Sequence, residues 1–239
     1  MHPLIQRVMD LIDQIQAKFD DLVSLINGAL DSVPFFLDWI VDRIQDKWNE
    51  FVAKWDEFWA AQELFWTNWG SPDTLSSTSQ AWTTSVGSPA TSASGTVDRA
   101  LLAADDEWTG QAADSYFPRA NLHKTAMERV QATFVSAATD GLGTLRGALT
   151  TFYTTLAGTL TGFVAAMIGA AAASGTIVGI PAGIVIAIGA VAVAAGAFYW
   201  AGTTLKGECT NVKTNLIASI NDKTGFPGGS WPPGAVLTA

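Results

Sequence analysis

Residues 147–205 contain no Asp, Glu, Lys, Arg or His, and this uncharged run limits the ways in which the chain can fold. The run divides near its centre at 175–181, a segment that contains three residues able to break a helix, two glycines and a proline. Each arm has about 16–25 residues, close to the roughly 20 that a helix needs to cross the hydrocarbon core of a bilayer. The run therefore predicts a helical hairpin that lipid, other subunits or the rest of the chain must cover.

Glycines recur at a four-residue spacing in this hairpin, a pattern that allows helices to pack closely in lipid. Arg146 precedes the run and Lys206 follows it, so both charges would lie on the same side of a membrane, as a hairpin requires. The residues predicted for the membrane or packing surface are Gly158, Gly162, Gly175, Gly179, Pro181, Gly183, Ile186 and Trp200. Burial inside a bundle or an oligomer is the alternative, because Ala and Gly are only weakly hydrophobic.

Two amphipathic helices are predicted before residue 70. Apolar residues recur every three or four positions over 4–33 and again over 35–69, with Pro34 between the two runs. This pattern predicts an αα-hairpin whose tryptophans form an aromatic core or a self-association face: Trp39, Trp48, Trp55, Trp59 and Trp66. A tryptophan-rich face also suits a membrane interface. The excess of Asp on the polar face argues against contact with anionic lipid.

A second helical hairpin is predicted over 71–150. Its first part is rich in Ser, Thr, Ala and Gly, which is typical of a linker, but apolar residues keep an approximate helical spacing from about 73 to 106. Another helical pattern follows Trp108-Thr109-Gly110. Glycine suits a tight turn between antiparallel helices, and tryptophan supplies a large apolar group that pins the turn to a neighbouring helix.

At Trp108 and Gly110, and more weakly at Ala113 and Tyr116, the chain resembles the WXG-motif family of actinobacterial type VII (ESX) secretion substrates. The resemblance covers residues 73–150. It implies a hairpin with the Trp-x-Gly turn between its helices, a homo-oligomer or a WXG-family partner protein, and export without a cleaved signal peptide. It implies no catalytic residue, since the hairpin of this family has no active site.

The chain departs from this family in two respects. It has an additional predicted hairpin on each side of the segment that resembles the family. Many secreted partners in the family also carry Tyr-x-x-x-Asp/Glu, whereas the three tyrosines here, Tyr116, Tyr153 and Tyr199, are followed four residues later by Ala120, Ala157 and Thr203. A partner must therefore supply the export signal, or the chain is a diverged relative, or export is not involved.

The composition excludes several classes of function. The chain has 13 Lys and Arg against 22 Asp and Glu, a net charge of −9, which argues against nucleic acid as a partner. One cysteine and two histidines without ligand spacing predict no metal site. The sequence has no nucleophile elbow, phosphate-binding loop or dinucleotide fingerprint. We therefore expect no catalytic, cofactor-binding or metal-binding residue, and interpret His123 as a surface histidine.

Together these patterns predict an all-α protein of four segments: an amphipathic hairpin (1–70), a WXG-like hairpin (71–150), a hydrophobic hairpin (151–204) and a short helix with a Pro/Gly tail (205–239). We expect a non-enzymatic, type VII-associated protein that oligomerises and inserts the hydrophobic hairpin into membrane lipid, as a pore or an anchor. It would be cytoplasmic before export and then secreted or bound to the membrane or cell envelope. The main alternative is a soluble ring or filament subunit with the hairpin buried between subunits. A targeting module for a toxin on a separate chain is a further alternative.

Overall fold

The computed structural model of the chain describes residues 2–31, 38–61, 70–97 and 108–234. Within these ranges the chain forms five helices and no strand, so the predicted all-α fold is confirmed. The helices are α1 (Pro3–Leu30), α2 (Asp38–Ala61), α3 (Pro72–Trp82, a π-helical turn at Thr83–Gly87, and Ser88–Thr96), α4 (Gln111–Ala173, with a π-helical turn at Val130–Val135) and α5 (Ile180–Asn221).

The chain divides into two compact units, and each unit combines separate parts of the sequence. The first unit comprises Met1–Ser71 and Ala148–Lys206. The second unit comprises Pro72–Gly147 and Gly207–Ala239. The four segments predicted from the sequence are therefore joined in pairs, the first with the third and the second with the fourth.

The core of the first unit is built by all four of its helical segments. The apolar positions of α1 and α2 face inward with the predicted period of three or four: Ile5, Val8, Leu11, Ile15, Leu22, Ile26, Ile40, Ile44, Phe51, Trp55 and Phe58 are buried. They pack with the buried residues of α4 and α5 in one hydrophobic cluster. Phe58 links the helices directly, since its ring lies 6.1 Å from Phe163 and 5.4 Å from Phe198.

The second unit contains α3, the first part of α4 and the last part of α5. The two π-helical turns of α3 and α4 pack against each other. Each turn ends at a serine whose hydroxyl donates a hydrogen bond to the carbonyl five residues earlier, Ser88 to Thr83 and Ser136 to Gln131, both at 3.1 Å. Gly87 lies where the turns meet, and a Cβ there would overlap the Gln131 side chain.

Two predicted boundaries differ from the structure. The first unit ends at Lys206, but the helix of the second arm does not end near residue 204, because α5 continues without a break to Asn221. The change from apolar to charged sequence at Lys206 alters the surface of the helix but not its backbone hydrogen bonding. The predicted helix over 73–106 ends at Thr96, Val97 leaves the helical conformation, and residues 98–107 lie outside the described part of the chain.

Candidate functional site

The hydrophobic hairpin, Ala148–Lys206 of the first unit, has an inner face that packs on α1 and α2. Its buried side chains recur every three or four residues along both helices: Phe152, Tyr153, Leu156, Ala157, Leu160, Phe163, Met167 and Ala170 in α4, and Ile180, Ile184, Ala187, Val191, Ala194, Phe198 and Ala201 in α5. The N-terminal hairpin therefore covers one side of the apolar sequence. This arrangement buries a helix stripe on each partner, as helix packing requires.

The opposite side of the hairpin, its outer face, is exposed although it carries no charge. The large side chains of this face in α5 are Val193, Tyr199 and Trp200, and Val193 and Tyr199 are 71% and 78% exposed. Val185 and Ile186, near the turn, are also exposed, but α2 lies beside them. In α4 the outer face is formed by small residues and one larger one: Gly158, Thr161, Gly162, Ala165, Ile168, Gly169 and Ala172. Between Ala148 and Leu205 the only polar side-chain groups are the hydroxyls of serine, threonine and tyrosine and one indole N–H, since the sequence has no charged, amide or histidine side chain there.

The exposed faces of α1 and α2 have the opposite character. They carry acidic, basic and amide side chains: Gln6, Arg7, Asp10, Asp13, Gln14, Asp20 and Asp21 in α1, and Asp42, Arg43, Asp46, Asn49, Glu50, Asp56 and Glu57 in α2. Three ion pairs of 2.7–2.8 Å lie on these faces, among them Lys18 with Asp21 and Lys54 with Glu57. One hairpin of the first unit thus presents a water-compatible surface, whereas the other presents an uncharged one.

Both α4 and α5 are long and apolar enough to cross a membrane, by length and composition. In the most apolar 18-residue window of each helix, only 33% of the residues are buried. The core helix of a soluble protein is mostly buried, and a surface helix has a polar outward face. The outer face of these two helices is therefore neither covered by the described residues nor charged.

The closed end of the hairpin is a tight turn between Ala173 and Ile180. A Cβ on Gly179 would overlap the Ala173 carbonyl, and a Cβ on Gly183 would overlap Ala170 and Ser174, so these glycines permit close approach of α4 and α5. The buried Ser174 hydroxyl donates a hydrogen bond of 2.9 Å to the Ala170 carbonyl. Pro181 occupies the first turn of α5, where its missing N–H has no consequence.

The other residues predicted for the hairpin surface lie on its outer face or at the turn. Gly158 and Gly162 are exposed, and no atom lies within 4 Å of a Cβ added to either one. Ile186 and Trp200 are 42% and 61% exposed. Gly175 lies in the turn, where a Cβ would come to 3.2 Å from the Ala172 carbonyl. Gly158 and Gly162 therefore leave a smooth surface instead of packing within this chain.

The predicted tryptophan face is divided by the structure. Trp55 is buried and stacks on Phe19 with ring centroids 4.4 Å apart, so it belongs to the core of the first unit and not to a surface. Trp48 and Trp59 are half-buried against the same core. Trp39 alone of the described members is exposed, and Trp66 lies outside the described residues.

The residues that carry the family resemblance surround the start of α4. Gly110 has a φ of +102°, which favours glycine, and its carbonyl accepts the first helical hydrogen bond from the Asp114 N–H at 3.0 Å. The Trp108 ring packs on Tyr116 at 5.3 Å and on Phe117 at 6.2 Å, so it holds the incoming chain on the helix that follows. Ala113 is buried. Sequence reasoning did not single out Phe117, although its ring also contacts Trp108.

A groove of about 410 Å³, which we call the tip groove, lies beside the closed end of the hairpin. It is lined by the start of α2 and by the turn and start of α5: Trp39, Ile40, Arg43, Lys47, Val178, Pro181, Ala182, Val185 and Ile186. Sequence reasoning predicted the membrane or packing role of Pro181 and Ile186 but not this grouping, because nothing in the sequence indicates that α2 lies alongside α5.

The second unit contains a wider groove of about 860 Å³ between α4 and the last part of α5. Its lining mixes hydroxyl and amide groups with Arg129, Asp140, Glu208 and Asp222, and none of the predicted site residues line it. Such a mixture of charges selects no class of ligand.

The described residues hold no group of three or more His, Cys, Asp or Glu side chains placed to bind a metal ion. Cys209 is exposed. His123 lies in the second unit and accepts a hydrogen bond from Trp231. Comparison with protein-family models, with curated proteins and with solved structures yields no match.

Proposed function

We propose that this protein is a non-enzymatic, type VII secretion-associated helical protein that oligomerises and inserts its hydrophobic hairpin into a membrane, as a pore or an anchor. The observation that carries the proposal is the outer face of the hairpin, which is exposed but has no charged residue. Apolar surface exposed to water is costly, at roughly 25 cal/mol per Å². Lipid contact removes that cost along the whole face.

The N-terminal hairpin covers the hydrophobic hairpin before insertion. Its inner face already contacts α4 and α5, and its outer face is polar, so the first unit has one side suited to water. When α4 and α5 enter the bilayer, the aromatic inner face of α1 and α2 loses its partner. An amphipathic helix of this kind then lies in the membrane interface, with rings such as Phe51 and Trp55 toward the acyl chains.

The exposed glycines of the outer face support oligomer formation after insertion. Gly158, Gly162, Gly189 and Gly196 have open space around the Cβ position, so another helix can approach the backbone closely there. Close approach at small residues is a main source of helix association in lipid, where the hydrophobic effect no longer acts between helices.

The type VII association rests on the resemblance at Trp108 and Gly110. The left-handed conformation of Gly110 and the packing of Trp108 on Tyr116 support it, because both residues act at a helix junction. Dependence of export on a type VII system is measured by the amount of protein outside cells with and without an active type VII system. Equal amounts in both strains would remove this part of the proposal and leave membrane insertion intact.

The membrane part of the proposal is tested by flotation with liposomes and by dye leakage. Val193→Asp places a charge on the outer face of the hairpin, whereas Ala53→Asp places the same charge on the exposed polar face of α2. We expect wild type and Ala53→Asp to float and to release dye, and Val193→Asp to lose both activities while its helical content stays the same.

The same experiment distinguishes the alternative of a soluble ring or filament. In that case the protein forms a large particle in buffer without detergent, fails to float, and Val193→Asp reduces the particle size. This result would replace membrane insertion with burial of the hairpin between subunits. Equal flotation and leakage by all three proteins would also count against insertion of the outer face.

A further inference from the structure

The tip groove joins apolar and basic side chains in one exposed site. Of the described residues, nine line it, seven of them apolar and two of them basic. Its apolar lining is open to solvent, since Val178, Trp39 and Val185 are 73%, 61% and 52% exposed. Its volume of about 410 Å³ falls within the range of small-ligand sites.

The two basic residues face the groove, and the acidic residues of α2 do not. Trp39, Arg43 and Lys47 follow one another at intervals of four residues, which places them on the same side of α2. Asp42, Asp46 and Glu50 are exposed within about one helical turn of these residues, but they do not line the groove. The lining itself is therefore basic and apolar, although acidic side chains of α2 lie beside it.

Arg43 is the stronger of the two anion-binding groups. Its side chain is exposed, and a guanidinium group matches the oxygens of a phosphate with two parallel hydrogen bonds. Lys47 also pairs with Glu50, with 2.7 Å between Nζ and Oε2, and can contribute its remaining donors. Salt screens the more distant negative charges of the chain beyond roughly 8 Å at physiological ionic strength, whereas Asp46 and Glu50 lie close enough to reduce the local positive potential.

We propose that the tip groove binds an anionic phospholipid of the membrane that the hairpin enters. Arg43 and Lys47 hold the headgroup phosphate, and the acyl chain lies along Val178, Val185 and Ile186. Trp39 lies at the level of the headgroups, where tryptophan is favoured. A free phosphate ion would leave the apolar lining exposed, whereas a phospholipid fills both parts of the groove.

This inference rests on the proposed membrane insertion and names the lipid that the closed end of the hairpin meets first. The groove includes the turn of the hairpin, so binding there brings the tip against one leaflet. The uncharged arms of α4 and α5 are then aligned for entry. The anionic lipid accordingly acts before insertion, and its loss is expected to lower binding at the surface rather than helix formation.

The test uses vesicles of phosphatidylcholine alone and vesicles in which part of the phosphatidylcholine is replaced by phosphatidylglycerol. Partition of the full chain is measured by flotation at physiological salt for wild type and for the double variant Arg43→Gln and Lys47→Gln. Lys54→Gln is the matched control, because Lys54 pairs with Glu57 as Lys47 pairs with Glu50 but does not line the groove. Circular dichroism confirms that all three proteins have the same helical content.

We expect wild type and Lys54→Gln to bind the anionic vesicles more strongly than the neutral ones. Each cation near an anionic surface contributes roughly fivefold in partition, so the double variant should bind anionic vesicles roughly 30-fold more weakly, with unchanged binding to neutral vesicles. Equal binding of wild type to both vesicles, or an anionic preference that survives in the double variant, overturns the lipid assignment while membrane insertion stands. Absence of wild-type binding to either vesicle overturns the proposed function itself.

Discussion

The indole Nε1 of Trp231 donates a hydrogen bond of 2.9 Å to Nδ1 of His123, and this bond ties the C-terminal segment to α4. The same segment is held by Phe226, whose ring lies 5.6 Å from Phe134, and by Arg119, which donates to the Gly234 carbonyl at 3.1 Å. The described part of the Pro/Gly tail, which extends to Gly234, thus contains a 3-10 turn at Pro227–Gly229 and docks within the second unit.

Removal of this hydrogen bond should lower stability by about 1 kcal/mol, the usual net value for one bond. Trp231→Phe removes the donor and keeps an aromatic ring beside Phe226, and His123→Phe removes the acceptor. Urea unfolding of both single variants and of the double variant gives a double-mutant cycle. Since the variants remove the same bond, the double variant should be little less stable than either single one. If the stability losses of the two single variants simply add in the double variant, Trp231 and His123 are not coupled by this hydrogen bond.

The closed end of the hydrophobic hairpin should tolerate no side chain at Gly183. A Cβ there meets the Ala170 carbonyl and the Ser174 hydroxyl, and backbone atoms cannot move aside cheaply. Gly183→Ala should therefore destabilise the first unit by about 1–3 kcal/mol, as overpacking does. Gly189→Ala is the matched control in α5, because nothing lies within 4 Å of its Cβ position. The melting temperatures of the two variants are compared by circular dichroism. Equal melting temperatures would show that α4 and α5 do not approach each other closely at Gly183.

A similar pair of glycines tests the contact between the π-helical turns of the second unit. Gly87→Ala introduces a Cβ that overlaps the Gln131 side chain, whereas Gly95→Ala meets open space in the same helix, α3. Alanine favours a helix over glycine by roughly 1 kcal/mol. Gly95→Ala should therefore stabilise the protein slightly, and Gly87→Ala should be less stable than Gly95→Ala, because the end of the Gln131 side chain must move to admit the Cβ. Truncation by Gln131→Ala in the Gly87→Ala background should recover stability in urea unfolding; no recovery would exclude Gln131 as the obstacle.

Hydrogen bonds from the hydroxyl and N–H of Thr224, together with the charge of Arg129, lower the pKa of Asp222 at the end of α5. A carboxylate with a lowered pKa stabilises the folded state above its unfolded pKa, about 3.9, and loses this effect as the pH falls through the folded value. Asp222→Ala should therefore melt at a lower temperature than wild type at pH 7, and the difference should disappear in acid once the pH falls below the lowered pKa of Asp222. A difference that persists unchanged in acid would point to a cause other than ionisation.

The helices and their inner faces could be predicted because helical periodicity is a local property. The spacing of Ile15 and Leu22, or of Ile44 and Phe51, specifies which side of each helix is buried without reference to any partner. Periodicity does not identify the partner, however. Trp55 fits an aromatic core and a self-association face equally well, and only the packing of α2 on the hydrophobic hairpin places it in the core.

The tip groove and the π-helical turns could not be predicted for a related reason. Trp39 and Val185 are far apart in the sequence, and they come together only because α2 and α5 lie side by side in the first unit. The π-helical turns depend on how α3 and α4 fit around Gly87, a contact for which the sequence has no pattern. The continuation of α5 past Lys206 was missed because a change in polarity was interpreted as a boundary between elements.

Stability and membrane binding should depend on different aromatic residues of α2. Phe58 is buried and contacts rings of α4 and α5, so Phe58→Ala should cost about 3–5 kcal/mol in the free energy of unfolding. Trp39 is 61% exposed in the tip groove, so Trp39→Ala should change stability by less than about 0.5 kcal/mol. The Trp39→Ala variant should instead bind to vesicles more weakly than wild type. Urea unfolding and flotation of the same two variants separate these roles, and a large loss of stability in Trp39→Ala would mean that its ring belongs to the core.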